Sequence, residues 1–397
     1  MPLQFDREGS VLKIVVVHVS LNAAGGGERV CLSVIKALQD CGFEVTLVTV
    51  DKTDWQKIQK IFDEEVRPDD EFYLFPRMPN ISSNTLNSAL LVALFVSELL
   101  LLKLFGRNHL MVNTCGEKFD SIADIVYVNG IPARCVSLEK TNVKRKDIGI
   151  IYNLLQKIFD KPYSNSIIVN SEFHRGLFER CTKKKALTVY PPVSVDKFRQ
   201  LAYRKRDKNI VVTCSQYFET QNLDSVPKIA KLVDHGSFFV IGPCSPSSKN
   251  TLEKLRRMIA KLSLEQRVTL LTNQPFSELL ILLSVAKVFL RTLHNEPFGI
   301  SIVEAMAAGC VPVVPRDGGP WLDILEQHQG KYGFSYATLG EAADHIQTLL
   351  ENEQLRTEIS KRAQKRAMNF ESSLFEERIQ GIVRSVLKAK SKDIRST

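Results

Sequence analysis

No Cys-x-x-Cys pair occurs anywhere in this chain of 397 residues. Its eight cysteines (Cys31, Cys41, Cys115, Cys135, Cys181, Cys214, Cys244 and Cys310) are scattered singly, which argues against a disulfide framework or a structural zinc site. An apolar leader is also missing. The first residues, Met-Pro-Leu-Gln-Phe-Asp-Arg-Glu-Gly, are polar, so a cytoplasmic, reducing setting is the expectation. No Gly-Lys-Ser/Thr follows the glycine triplet Gly25-Gly26-Gly27, which excludes a P-loop. The basic clusters Lys144-Arg-Lys146 and Lys183-Lys-Lys185 have no aromatic interleaving, so they read as solvated faces and nucleic acid is not an expected partner.

What is present is an ordinary globular mix, 44% hydrophobic and 24% charged residues, which rules out a disordered chain and a polytopic membrane protein. The length predicts two or three domains. Lys and Arg outnumber Asp and Glu by 53 to 44, a net charge of +9 that suits an anionic partner. One apolar run, Ala89 to Phe105, is interrupted only by Ser97, Glu98 and Lys103. As a helix it would reach about 26 Å, short of a ~30 Å hydrocarbon core. Two readings stay open for it: a helix buried in a domain core, or one lying against a membrane surface without crossing it.

The order of elements is that of parallel α/β domains. A β-branched run at 12–19, a glycine turn, a helix over 29–40 and a strand at 43–50 make a βαβ unit. Further strands are expected at 109–113, 124–128 and 166–170. After Pro191-Pro192 and the charged stretch 203–209 the alternation restarts, with strands at 210–214, 237–241, 267–271, 287–290 and 311–314 and helices between them. The domains predicted are 1–195 and 210–375, with 376–397 a helical tail returning to the first. Two doubly wound sheets of this kind place ligands at the carboxyl ends of their strands.

Chemistry concentrates in Thr292-Leu-His-Asn-Glu-Pro-Phe-Gly-Ile-Ser-Ile-Val-Glu304. Glu296 follows a strand and Glu304 lies in the helix after it. The amides of Phe298, Gly299 and Ile300 at that helix start suit anionic or hydroxyl oxygens. Two carboxylates there suit vicinal hydroxyls of a sugar and a ribose; alone, the pair reads first as surface or helix-start acids. Gly26 and Gly27 let backbone amides approach a diphosphate without Cβ clashes, though a glycine triplet is also an ordinary turn.

The run 292–320, continuing through Gly309-Cys-Val-Pro-Val-Val-Pro-Arg-Asp-Gly-Gly-Pro320, resembles the donor motif of family 4 glycosyltransferases. Ser166-Ile-Ile-Val-Asn-Ser171, Val189-Tyr-Pro-Pro-Val193 and Asn22–Val30 extend the likeness over nearly the whole chain. Asn22–Val30 and His294-Asn-Glu296 are most similar to the dolichol-pathway α-1,2-mannosyltransferases and their archaeal relatives. The resemblance implies a GT-B fold, an α/β architecture of two Rossmann-like domains facing across a cleft. It implies retaining transfer of a hexose, such as mannose, from a nucleotide sugar to an acceptor hydroxyl on a lipid-linked glycan. Glu296 would contact the sugar and Glu304 the ribose. The donor, GDP-mannose or a UDP-sugar, is a substrate, and neither cofactor nor metal is implied. Peripheral contact with the cytoplasmic membrane face through 89–105 would follow.

Two positions depart from that pattern. The family places an Arg and a Lys after the first strand of the second domain to neutralise the leaving diphosphate. Here Thr213-Cys-Ser-Gln-Tyr-Phe-Glu-Thr-Gln-Asn222 puts Gln221 at the lysine and Gln216 or Phe218 at the arginine, with Ser215 beside them. Asn129, in Tyr127-Val-Asn-Gly-Ile-Pro132, stands where a histidine near the sugar is expected. Arg291, Lys118 or Arg316 would supply the missing charge, Arg291 being preferred because it ends a strand beside the donor motif. The competing readings are a GT-B scaffold that binds a nucleotide sugar or glycan without efficient transfer and, less in keeping with the donor motif, a nucleotide-sugar epimerase.

Overall fold

The computed structural model describes residues 12–78, 110–116, 122–131 and 166–396. The apolar segment 89–105, Lys118 and the cluster 144–146 lie outside them. The chain divides into two compact units: one holds Met1–Asn170, His174–Pro192 and Ser373–Thr397, the other Ser171–Phe173 and Val193–Ser372.

The first unit is built on strands β1 (Lys13–Val17), β2 (Glu44–Asp51), β3 (Asp70–Phe75), β4 (Leu110–Asn113), β5 (Ile125–Val128), β6 (Ser166–Val169) and β7 (Leu187–Thr188). They pair in the order β3-β2-β1-β4-β5-β6-β7, and the pairings are parallel. The order reverses between β1 and β4, so the carboxyl ends of these two strands flank the switch point where such sheets take ligands. Helix α1 (Gly26–Gln39) buries Val30, Val34 and Leu38 against β1. These residues recur every four positions, the spacing of one helix face. Helix α2 (Trp55–Phe62) and α3 (Glu172–Thr182) complete the described helices before the second unit begins.

The second unit opens with the short α4 (Val195–Arg199) and holds strands β8 (Ile210–Cys214), β9 (Ser237–Gly242), β10 (Val268–Thr272), β11 (Val288–Leu290), β12 (Val311–Pro315) and β13 (Phe334–Tyr336). Their order is β10-β9-β8-β11-β12-β13, again parallel, with its switch point between β8 and β11. Helices α5 (Ser225–Leu232), α6 (Lys249–Lys261), α7 (Phe276–Val285), α8 (Ile300–Ala307), α9 (Leu339–Glu351) and α10 (Glu353–Ala367) connect or flank these strands. The last helix, α11 (Ser372–Ser396), belongs for most of its length to the first unit. It places Phe375, Ile379 and Val383 in that unit's core, each worth roughly 1.5–3 kcal/mol of burial. Glu376 pairs with Lys36 at 2.6 Å and Lys390 with Asp124 at 2.6 Å.

Two stretches of the sequence behave differently from their composition. Pro68-Asp-Asp-Glu71 reads as a solvated turn, yet Asp70 and Glu71 open the edge strand β3. The Glu71 carboxylate accepts from Thr53 N and Trp55 Nε1, both at 2.9 Å. Arg206, within the charged stretch 203–209, is buried. Its guanidinium donates to the carbonyls of Leu283, Ala286 and Ala308, which close the ends of α7 and α8. A cation at helix carboxyl ends satisfies acceptors that the helical pattern leaves open.

Candidate active site

In the second unit the site grows from the two strands at the switch point. β8 ends at Cys214 and runs into Ser215 and the turn that carries Gln221; β11 ends at Leu290 and runs into Arg291 and Thr292. Arg291 is buried and forms a forked ion pair with Glu296, Nε to Oε2 at 2.6 Å and Nη2 to Oε1 at 2.8 Å. Its guanidinium also donates from Nη1 to Cys214 O at 3.1 Å and from Nη2 to Gln221 Oε1 at 3.2 Å. Burial opposes the charge on Arg291, but the adjoining Glu296 carboxylate outweighs it and the guanidinium pKa moves up. Arg291 is therefore placed in the candidate site, with its charge matched to Glu296.

Gln221 sits in this network with a defined orientation. Its Oε1 accepts from Arg291 and, at 2.9 Å, from Ser215 Oγ. A guanidinium can only donate, so the amide oxygen must face it and the NH2 group must face away. Thr292 Oγ1 donates to Gln221 O at 2.8 Å and fixes its backbone as well. The lysine expected at this position is thus replaced by a pinned neutral donor. Gln216 and Phe218, the two candidates for the arginine position, are exposed on the same turn. Arg316 pairs with Glu341 at 2.7 Å and bonds to Ser335, so its charge is engaged elsewhere.

The backbone around Glu296 explains the local glycines. Gly299 has φ 102° and Gly318 φ 71°, both in the left-handed region. A Cβ on Gly318 would come within 2.7 Å of Glu296 O, and one on Gly319 within 2.2 Å of Pro297 O. Gly319 N donates to Glu296 O at 2.8 Å. The Gly318-Gly319 turn therefore lies directly on the Glu296 main chain. His294 reaches Asp317 at 2.6 Å, and Asp317 also accepts from Asn295 N at 2.7 Å. Both contacts brace the loop that carries Glu296. α8 begins after Gly299, leaving the amides of Gly299 and Ile300 at a helix start, where the helix itself offers no acceptor. The Phe298 ring packs into the core against Phe370, at 5.3 Å between ring centroids, so a ligand would meet its backbone only. Glu304 lies on α8 and is buried.

The first unit has its own polar cluster at the carboxyl ends of β1, β4 and β5. Gly25–Gly27 turn into α1, and Glu28 Oε2 accepts from Gly25 N at 2.7 Å, which lets the helix start at Gly26. Asn129 Nδ2 donates to Thr114 O at 3.1 Å and would lie 3.6 Å from a Cβ on Gly27. Asn170 Nδ2 donates to Asn129 O at 2.8 Å, and its Oδ1 lies 2.9 Å from His174 Nδ1. Burial drives the His174 pKa down to about 4, against a bond to the Gly130 backbone that favours the charged ring. The structure thus brings Gly26, Gly27 and Asn129 together. His18, Thr114, Asn170 and His174 join them and were not foreseen. His18 and Thr114 are 96 residues apart and no spacing in the sequence links them, whereas His174 meets Asn170 four positions before it.

Among the described residues no group of three His, Cys, Asp or Glu side chains could hold a metal ion, and no described helix is long and apolar enough to cross a membrane.

Comparison with known proteins adds to this geometry. Residues 195–366 match the family described as glycosyl transferases group 1. The GDP-Man:Man(3)GlcNAc(2)-PP-Dol alpha-1,2-mannosyltransferase of Dictyostelium discoideum is 26% identical, covering 93% of this chain and 84% of its own length. The protein of the same name in Homo sapiens is 30% identical over 47% of this chain and 41% of its own length. Among solved structures, Anabaena Alr3699/HepE in complex with UDP and glucose superposes with a TM-score of 0.70 at 18% identity, covering 94% of this chain and all of that one. WaaG, a glycosyltransferase involved in lipopolysaccharide biosynthesis, also gives 0.70, at 15% identity over 93% of this chain and 99% of its own. The fold is accordingly that of GT-B proteins, two Rossmann-like parallel-sheet domains.

Proposed function

Starting from a chain that carries a glycosyltransferase group 1 domain within a GT-B fold, we propose that it is a retaining hexosyltransferase. It moves mannose from GDP-mannose to a hydroxyl of a lipid-linked glycan. The names of its relatives supply the donor and the acceptor class. The observation that carries the reading is the forked Arg291–Glu296 pair, with Glu304 on the following helix. In this scheme Glu296 takes the sugar hydroxyls, Glu304 the ribose, and the amides of Gly299 and Ile300 with Gln221 Nε2 face the diphosphate. The bond from the sugar's anomeric carbon to the diphosphate oxygen breaks as the acceptor oxygen bonds to that carbon, on the same face. The acceptor proton leaves with the departing phosphate. Catalysis comes from alignment and from donors aimed at the charge that develops on the leaving group.

No lysine or arginine from the β8 turn faces that group, so the chain relies on neutral donors there. One lost donor of this kind costs on the order of 3 kcal/mol of barrier, and a slow enzyme is the expected outcome. The alternative of a scaffold that binds without transfer gains no support from the relatives named above, which are named as transferases. Asn129 and the Gly25–Gly27 turn lie on the acceptor-binding unit in this reading. A lipid-linked acceptor also gives the apolar run 89–105 a role as a peripheral membrane contact.

Calorimetric titration with GDP, GDP-mannose and UDP-glucose, on the wild type and on Glu304→Ala, tests the assignment. The reading expects the wild type to bind the guanine nucleotides and Glu304→Ala to lose that binding. Absence of nucleotide binding by the wild type would refute it.

A further inference from the structure

His18 follows β1 at the switch point of the first sheet, and no step above uses it. It is 5% exposed. Its Nδ1 lies 2.8 Å from Thr114 Oγ1, and that hydroxyl donates its only proton to Val17 O at 2.9 Å. The hydroxyl oxygen can therefore only accept from the ring, so Nδ1 carries a hydrogen. On the other side Nε2 lies 3.5 Å from Glu28 Oε1. A carboxylate offers no proton, so its closeness favours a hydrogen on Nε2 as well. An imidazole with hydrogens on both nitrogens is a cation.

The groups that face the ring are Glu28 and Cys31 from α1 and Thr114 from the end of β4. Burial works against the charge, but Cys31 and Glu28 outweigh it and raise the His18 pKa to about 9. Glu28 responds in kind: burial disfavours its carboxylate, yet His18 and the Gly25 amide hold its pKa below the ordinary value.

Each partner of the ring leads to a candidate functional group. Glu28 uses its second oxygen to hold Gly25 N at the head of the glycine turn. Thr114 uses its carbonyl to hold the Asn129 side chain. From this arrangement we infer that His18 is a buried imidazolium and a positioning residue, setting the glycine turn through Glu28 and Asn129 through Thr114. Its consequence for transfer rests on the function proposed above; its charge state and its hold on the turn do not.

The test uses the full chain with its seven histidines labelled with 15N in the ring, the His18 resonances being identified by their loss in His18→Gln. At pH 7.5 both ring nitrogens should be protonated, with a midpoint near 9 that falls in Glu28→Gln. Amide exchange at Gly25 should speed up by about tenfold or more in His18→Gln, and in the wild type as pH rises through 9 after correction for intrinsic exchange. Mannose transfer from GDP-mannose should fall along a basic limb of the same midpoint. That limb should vanish in His18→Gln, whose rate is lower by up to about a hundredfold. Glu28→Gln repeats the exchange measurement should His18→Gln not fold. A neutral ring at pH 7.5, or Gly25 exchange unmoved in a folded variant, overturns the inference. A doubly protonated ring with a His18-dependent turn, in a wild type that never turns over GDP-mannose, would support it while refuting the proposed function.

Discussion

Replacing Arg291 by methionine keeps the apolar stem of the side chain and removes its donors, leaving the Glu296 carboxylate, 9% exposed, without its forked partner. Breaking a buried pair from one side costs about 3–5 kcal/mol, because the surviving charge stays desolvated. Cys214 O and Gln221 Oε1 also lose a donor, so the upper half of that range is expected. The double variant Arg291→Met/Glu296→Leu removes both charges and should lose less than Arg291→Met alone. The two tryptophans make the measurement clean, since Trp55 lies in the first unit and Trp321 in the second. In a Trp55→Phe background, urea denaturation followed by Trp321 fluorescence reports the second unit. A loss below about 1 kcal/mol for Arg291→Met, the level of an exposed pair, would refute the reasoning. So would a double variant less stable than the single by the full cost of Glu296→Leu.

Gln221→Lys tests the pinned amide. The new ammonium would meet the Arg291 guanidinium where Gln221 Oε1 now accepts at 3.2 Å, so GDP affinity measured by calorimetry should not improve; tighter binding would show that the site wants the cation and can take it. Gly319→Ala puts a Cβ 2.2 Å from Pro297 O beneath Glu296. Donor binding should drop at least tenfold, and an alanine variant with unchanged GDP-mannose affinity would detach the turn from the site. Stability of the first unit should respond to pH through His18. Its folded pKa of about 9 lies above the unfolded value of about 6.5. The contribution is therefore complete below pH 6.5 and is lost as pH rises through 9. Urea midpoints read from Trp55 in a Trp321→Phe background should fall over that interval in the wild type and stay flat in His18→Gln. Truncation after Ser372 removes Phe375, Ile379 and Val383 from the same core and should lower that unit's midpoint while the Trp321 transition holds.

The part of the candidate site around Glu296 was legible because its residues are close together in the chain. Glu296, Gly299 and Glu304 lie on one strand–turn–helix passage, and the resemblance of the run 292–320 to a known motif singled them out. The parallel sheets were legible for a similar reason: β-branched runs such as Ile14–Val17 and Ile210–Val212 are buried on both faces and read as continuous apolar stretches. Strand β3 was missed because it is an edge strand, with Asp70, Phe72 and Tyr73 exposed, and lacks that pattern. Arg291 was singled out for its place beside the motif, but its forked grip on Glu296 depends on the loop returning over β11, which no spacing states. Long-range partners were the least legible. His18 meets Thr114 from the far side of a chain crossing, and Arg206, in a run of charges, is buried by two helix ends that come 77 and 102 residues later.

The most direct test of the account is product formation. The full chain, GDP-mannose and a lipid-pyrophosphate oligosaccharide should yield an acceptor heavier by one hexose, joined by an α-linkage that keeps the anomeric configuration of the donor, with no product from Glu296→Ala. Binding of GDP-mannose without any such product, or a β-linked product, would contradict it.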